Sequence, residues 1–173
     1  RQDHVAALVC ELTGAEAAIC VNNGAAALVL ALAALAGGRE IVVSRGQLVE
    51  IGDGFRIPEI VESAGARLRE VGTTNRTYAA DYARAISDKI AALLRVNASH
   101  FAVIGFTAKP ELDELHRLAH EHAVLALEDA GSGCLLDTAS YGLAHEPTLG
   151  ESIAAGVDVV CASGDNLLGG PQA

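Results

Sequence analysis

The run Ile90-Ala91-Ala92-Leu93-Leu94-Arg95-Val96 is apolar at six of its seven positions. A strand points successive side chains to opposite faces, so a run without alternation has to be covered on both. This stretch is therefore a strand at the centre of a sheet with helices above and below, and the remaining elements have to supply those layers.

They do so in order. Val5, Leu8, Val9 and Leu12 recur at helical spacing, and Thr13-Gly14 closes that helix with a residue suited to a left-handed cap. Ala17–Val21 reads as a short strand that turns through Asn22-Asn23-Gly24 into a long Ala/Leu helix over Ala25–Ala36, stopped by Gly37-Gly38. Strands follow at Glu40–Val43, Arg67–Val71, Ile90–Val96, Val124–Leu127 and Val157–Cys161, with a further extended piece at Phe101–Phe106. Helices are expected at Pro58–Ala64, Asp81–Ile86 and Thr148–Ala155, and behind Pro110, where Leu112, Leu115, Leu118 and Ala119 share a face. Strands alternating with helices imply an α/β fold, a mainly parallel sheet with helices on both faces.

A length of 173 residues suits one domain or a piece of a larger one. Apolar residues make up 51% and aromatics only 3%, so the core is aliphatic. The net charge of −10 and the lack of a basic run give no footprint for nucleic acid on this segment. Cys10, Cys20, Cys134 and Cys161 have neither CxxC spacing nor nearby His partners, so they read as buried thiols and no metal site is expected. Ala25–Ala36 is too short to cross a bilayer, and a cytoplasmic protein is expected. The chain opens inside a helical pattern and stops inside a Gly-rich loop, which reads as a segment of a longer protein.

In a parallel sheet, ligands sit off the carboxyl ends of the strands. The polar loops at Asn22, Arg45, Asn97, Asp129 and Ser163 all follow expected strands and converge on that rim. The Asn23-Gly24-Ala25 turn opens a helix whose first backbone N–H groups suit a phosphate, although a plain strand–helix junction has the same pattern. Asp129 is either a cap for the Gly131-Ser132-Gly133 turn or a carboxylate paired with a protonated ring nitrogen. Ser163 stands three residues before Asn166, in a loop of small side chains from Ala162 to Pro171 where backbone can approach a ligand. Arg45 is either a solvated loop charge or an anion clamp. No GxGxxG follows the first strand, which disfavours a dinucleotide-binding domain.

Several longer words carry a resemblance. They include Val43-Ser44-Arg45-Gly46, Glu70-Val71-Gly72-Thr73-Thr74-Asn75-Arg76-Thr77, Ile104-Gly105-Phe106-Thr107, Glu128-Asp129 with Gly131-Ser132-Gly133, and Ser163-Gly164-Asp165 with Leu167-Leu168-Gly169-Gly170-Pro171. With Leu12–Ala17, Val21-Asn22-Asn23, Phe55–Pro58 and Tyr141-Gly142-Leu143, they span essentially the whole chain. The sequence resembles the large-domain core of the bacterial selenocysteine synthases, pyridoxal 5'-phosphate enzymes of the aspartate-aminotransferase fold type. The resemblance implies conversion of seryl-tRNA(Sec) to selenocysteinyl-tRNA(Sec) through an aminoacrylyl intermediate, with selenophosphate as the selenium donor. It implies that Asp129 pairs with the pyridine nitrogen, that Asn23, Gly24, Ala25 and Ser163 hold the phosphate, and that Arg45 grips the selenium donor. It also implies a ring-shaped homo-oligomer with sites between subunits. The N-terminal tRNA-binding domain and the C-terminal small domain would lie outside residues 1–173.

The sequence departs from the family pattern mainly in its polar loops. Asn166 stands where members carry the Schiff-base Lys, and an amide nitrogen is neither nucleophilic nor appreciably basic. Members usually have Asn at Gly24, Glu at Gln47 and Gly at Asp53, and they read His-Thr-Ser-Asn where this chain has Asn97-Ala98-Ser99-His100. Impaired turnover is therefore expected. The alternatives are a non-catalytic paralogue or structural subunit, and a pyridoxal-phosphate lyase or aldolase acting on a small amino acid.

Overall fold

The structure is a computed structural model that describes residues 2–51, 54–99 and 101–173. Asp53 and His100, two of the departures from the family pattern, lie outside the described residues. Five parallel strands form the sheet: β1 (Glu40–Ser44), β4 (Arg67–Val71), β5 (Ile90–Val96), β6 (Leu125–Gly131) and β7 (Val159–Ala162), in the order β4-β1-β5-β6-β7. A separate antiparallel pair, β2 (Glu50–Ile51) and β3 (Phe55–Arg56), was not anticipated from the sequence. β5 lies at the centre and is buried along its whole length, as its unbroken apolar run requires.

Two hydrophobic layers cover the sheet. On one face, Ile41 and Val43 of β1 and Leu94 and Val96 of β5 pack with Leu28 and Leu32 of α2 (Gly24–Ala36) and Ile60 and Val61 of α3 (Ile57–Ser63). On the other, Val42 and Leu93 meet Tyr82 and Ala85 of α4 (Ala79–Ala85) and Leu115 and Ala119 of α5 (Leu112–Glu121). Odd and even strand positions thus feed different layers, which is the period of two that makes a two-sided sheet. Removing either layer would expose side chains each worth about 1.5–3 kcal/mol in burial. Helix α1 (Gln2–Thr13) packs beside α6 (Leu149–Ala154) at the β7 edge.

Three sequence expectations are corrected. Ala17–Val21 is not a strand: it runs as irregular chain, and at Cys20 its backbone N–H and C=O are satisfied by the Gln2 amide at 3.2 and 2.5 Å. One side chain thus does locally what a neighbouring strand would have done. Phe101–Phe106 is not a strand either; just beyond it an isolated parallel bridge joins Arg76 to Ala108. In both segments apolar residues lack a ladder partner, and composition alone does not make a strand. Finally, β6 runs on to Gly131, so Asp129 lies inside the strand rather than after it.

Candidate functional site

All five parallel strands end at one rim, at Ser44, Val71, Val96, Gly131 and Ala162. Asp129, on the same side of β6 as Leu127, is turned by strand alternation towards the layer that holds α2. It is nearly buried at 8% exposure, and one of its carboxylate oxygens accepts the Gly131 N–H at 3.1 Å. Its register partner on β7 is Cys161. Burial, reinforced by the negative charge of Asp129, pushes the Cys161 thiol up to about 12. The rim beside β7 is therefore an acidic, poorly solvated place.

The N-terminus of α2 reaches this point from the side. Asn23 caps the helix: its side-chain oxygen accepts the Ala26 N–H at 2.7 Å, and its backbone carbonyl accepts that of Ala27 at 3.0 Å. By helix geometry the N–H groups of Gly24 and Ala25 have no intrahelical acceptor. A Cβ built on Gly24 would come within 2.6 Å of Ser163 Oγ, so the helix start and the Ser163 hydroxyl share one small space. Ser163 is fixed by its own N–H to Gly131 O at 2.9 Å. It is also fixed by Gly133, whose φ of +66° brings its backbone so close that an added Cβ would sit 2.2 Å from Ser163 O. An alanine at Gly133 would meet both left-handed strain and a backbone clash.

The structure brings Asn23, Gly24, Ala25, Asp129 and Ser163 to one corner, while Arg45 lies elsewhere on the rim. Arg45 Nε binds Glu70 Oε2 at 3.0 Å, and its NH1 donates to Gly72 O, so this half-exposed cation is already engaged by the end of β4. Asn166 is exposed in the loop after β7. That loop is tied down next to it, Leu167 N–H to Ser132 O at 3.0 Å and Gly169 N–H to Asn166 O at 3.0 Å. Asn97 donates its backbone N–H to Asp129 O at 2.8 Å.

One residue escaped the sequence reading. Glu146 reaches back from the long β6–α6 connection and accepts from both Asn97 Nδ2 at 3.1 Å and Ser132 Oγ at 2.8 Å. Its only sequence signal is a carboxylate shortly before Pro147 and the Thr148 cap, which is common outside functional sites.

A phosphorylated pyridine fits these residues. The corner offers backbone and hydroxyl donors at a helix start and a nearly buried carboxylate on the adjacent strand end. Among the described residues, no cluster of His, Cys, Asp and Glu could hold a metal ion. No helix there is long and apolar enough to cross a membrane.

The architecture defines a class, the large-domain core of the aspartate-aminotransferase fold. D-glucosaminate-6-phosphate ammonia-lyase superposes with a TM-score of 0.81 at 24% identity, covering 98% of this chain and 46% of the other. An aspartate aminotransferase from Thermus thermophilus (a tetra mutant) gives 0.64 at 22% identity, covering 94% and 44%. At these identities the likeness is one of fold. Residues 1–173 match the sequence model of the SelA family, L-seryl-tRNA selenium transferase, and the chain belongs to that family. L-seryl-tRNA(Sec) selenium transferases of Geobacter metallireducens and Carboxydothermus hydrogenoformans are 58% and 57% identical over 173 residues. The chain spans 37% of the length of each of these relatives.

Proposed function

We propose that this chain is the cofactor-holding core of a selenium transferase that acts, in the full-length protein, on seryl-tRNA(Sec) with selenophosphate as donor. The observation that carries the reading is the close approach of Gly24 to Ser163 Oγ, which sets the start of α2 against the end of β7 beside Asp129. When bound, pyridoxal 5'-phosphate supplies an electron-withdrawing ring that makes a substrate's α-proton acidic.

The chain's own residues account for the rest. The Gly24 and Ala25 N–H groups and the Ser163 hydroxyl supply donors for a phosphate, favoured by the positive end of the helix dipole. The Asp129 carboxylate favours a protonated ring nitrogen placed against it, because an adjacent negative charge stabilises the cation. Arg45 offers a guanidinium for a phosphate-like donor, in competition with Glu70. Asn166 supplies neither a nucleophile nor a base where members carry Lys, so cofactor binding without efficient turnover is the expected behaviour. That same residue favours a second reading, a cofactor-binding partner subunit without catalysis of its own. Contacts to tRNA, the small domain and the homo-oligomeric ring belong to the longer protein in either reading, as does a cytoplasmic location.

The test uses the full-length chain and its Asn166→Lys variant. The parent is expected to bind pyridoxal phosphate in a form that dialysis removes. The variant should hold it covalently, trap it on borohydride reduction, and convert seryl-tRNA(Sec) when given selenophosphate. Uptake by neither protein would sink the cofactor reading. Uptake by both without conversion would favour the non-catalytic subunit, and turnover of a free amino acid would favour a lyase.

A further inference from the structure

Glu146 ties together three of the loops that form the rim. Its Oε1 accepts from Asn97, just past the end of β5, and from Ser132, just past the end of β6. Ser132 in turn accepts, through its backbone oxygen, the N–H of Leu167, the neighbour of Asn166 after β7. The backbone that carries it is held from behind, since Glu146 N–H donates to Thr138 Oγ1 at 2.8 Å and that hydroxyl donates to Ala144 O at 2.6 Å.

An ionised carboxylate only accepts, so the face of the Asn97 amide turned to Glu146 has to be its nitrogen. That settles the amide's orientation, on a residue whose backbone N–H donates to the Asp129 main-chain carbonyl. We propose that Glu146 is a positioning residue of the cofactor site, tying the Asn97 side chain after β5 to Ser132 after β6 and, through Ser132, to the loop of residue 166. This rests on the cofactor reading given above.

Pyridoxal phosphate affinity of the full-length protein tests the lock in a double-mutant cycle with Glu146→Ala and Asn97→Ala, read by the cofactor's absorbance. Each single change is expected to weaken binding by about tenfold, the equivalent of one charge-assisted hydrogen bond, and the double variant should be no weaker than the worse single. Glu146→Gln, which can also donate, should fall between parent and Glu146→Ala. Additive losses, or a lower melting temperature with unchanged affinity, would overturn the proposal. Crystal structures of the parent and Glu146→Ala proteins provide a readout without cofactor. Asn97 and Ser132 should leave their parental rotamers in the variant, and unmoved side chains would refute the lock. If the parent binds no cofactor but both side chains move, the cofactor reading fails and the positioning role stands.

Discussion

Arg95 and Glu128 face each other on neighbouring strands, Nε to Oε1 at 3.6 Å, both almost wholly buried. Among the described residues Glu128 Oε2 has no hydrogen-bond partner, so the pair carries a desolvation penalty that its attraction only partly offsets. Arg95→Met is therefore expected to destabilise the fold by about 3 kcal/mol by stranding a buried carboxylate, and adding Glu128→Leu should recover most of it. Urea unfolding of the two variants measures this, and an additive double variant would refute the coupling. Cys161 supports a second prediction. Its thiol is raised from 9.0 to about 12, so the fold prefers the protonated form. The associated stability is whole below pH 9 and is lost as pH climbs towards 12. At pH 8 a thiol reagent should label the half-buried Cys10 and Cys20 promptly, and Cys161 only as fast as the sheet edge opens. Prompt labelling of Cys161 would contradict its placement. At this scale the sequence was readable where a polar residue directly follows an apolar strand, as Ser163 follows β7; Asp129 is expected after β6 but lies inside it. Glu146 was not, because it arrives over a long loop and no spacing rule links it to Asn97. Arg45 was readable as a rim cation, but its partner Glu70 depends on the β1–β4 pairing, which no local pattern reveals.

Among the elements, the connection from β6 to α6 bears most on the proposed site, since it delivers Glu146 to Asn97 and Ser132. Its outer side is pinned by His145, whose Nδ1 lies 3.0 Å from Asp137 Oδ1 and whose Nε2 lies 3.3 Å from Glu151 Oε2. The hydrogen bond to Asp137 raises the His145 pKa, and the same bond lowers that of Asp137. Glu151 is also lowered, chiefly by the Thr148 N–H in the cap of α6. For His145 the sign is that of a raised group, so its contribution is complete below its ordinary value near 6.5 and disappears as pH rises through the raised one. For the carboxylates it is reversed, and their contribution disappears as pH falls below the usual range. Amide exchange over residues 138–146, corrected for its intrinsic pH dependence, should thus be slowest in mild acid and faster in alkali. His145→Gln should remove the alkaline rise, and an unchanged profile would show that the pin is idle. The helices and the five sheet strands were legible because hydrophobic period and turn residues agree there. The Ala17–Val21 strand misled because an apolar run looks the same whether a neighbouring strand or the Gln2 side chain pairs with it.

At the scale of the molecule, the sheet and its two layers are well filled, yet apolar residues remain outside them. Leu8 and Leu12 on α1 and Ile104 and Phe106 before α5 are more than half exposed, and so are Leu136 and Leu143 in the β6–α6 connection. An open apolar groove of about 710 Å³ runs between α2 and α3, lined by Ala26, Val29, Leu30 and Ile60 among others. Apolar surface on this scale marks an interaction site. The chain spans 37% of the length of the relatives it matches, and under the proposed function the remainder of such a protein, or further copies of it, would supply the covers. A 173-residue piece made alone should therefore bind a hydrophobic dye and self-associate with rising concentration, even with its acidic balance of −10 opposing aggregation. The full-length protein at equal concentration should bind little dye and elute as one discrete assembly. Both follow from a core whose two sheet layers form within the segment while its outer faces await partners. A piece that stays monomeric and dye-silent would mean that these exposed side chains are ordinary surface, and the case for an oligomer would then rest on resemblance alone.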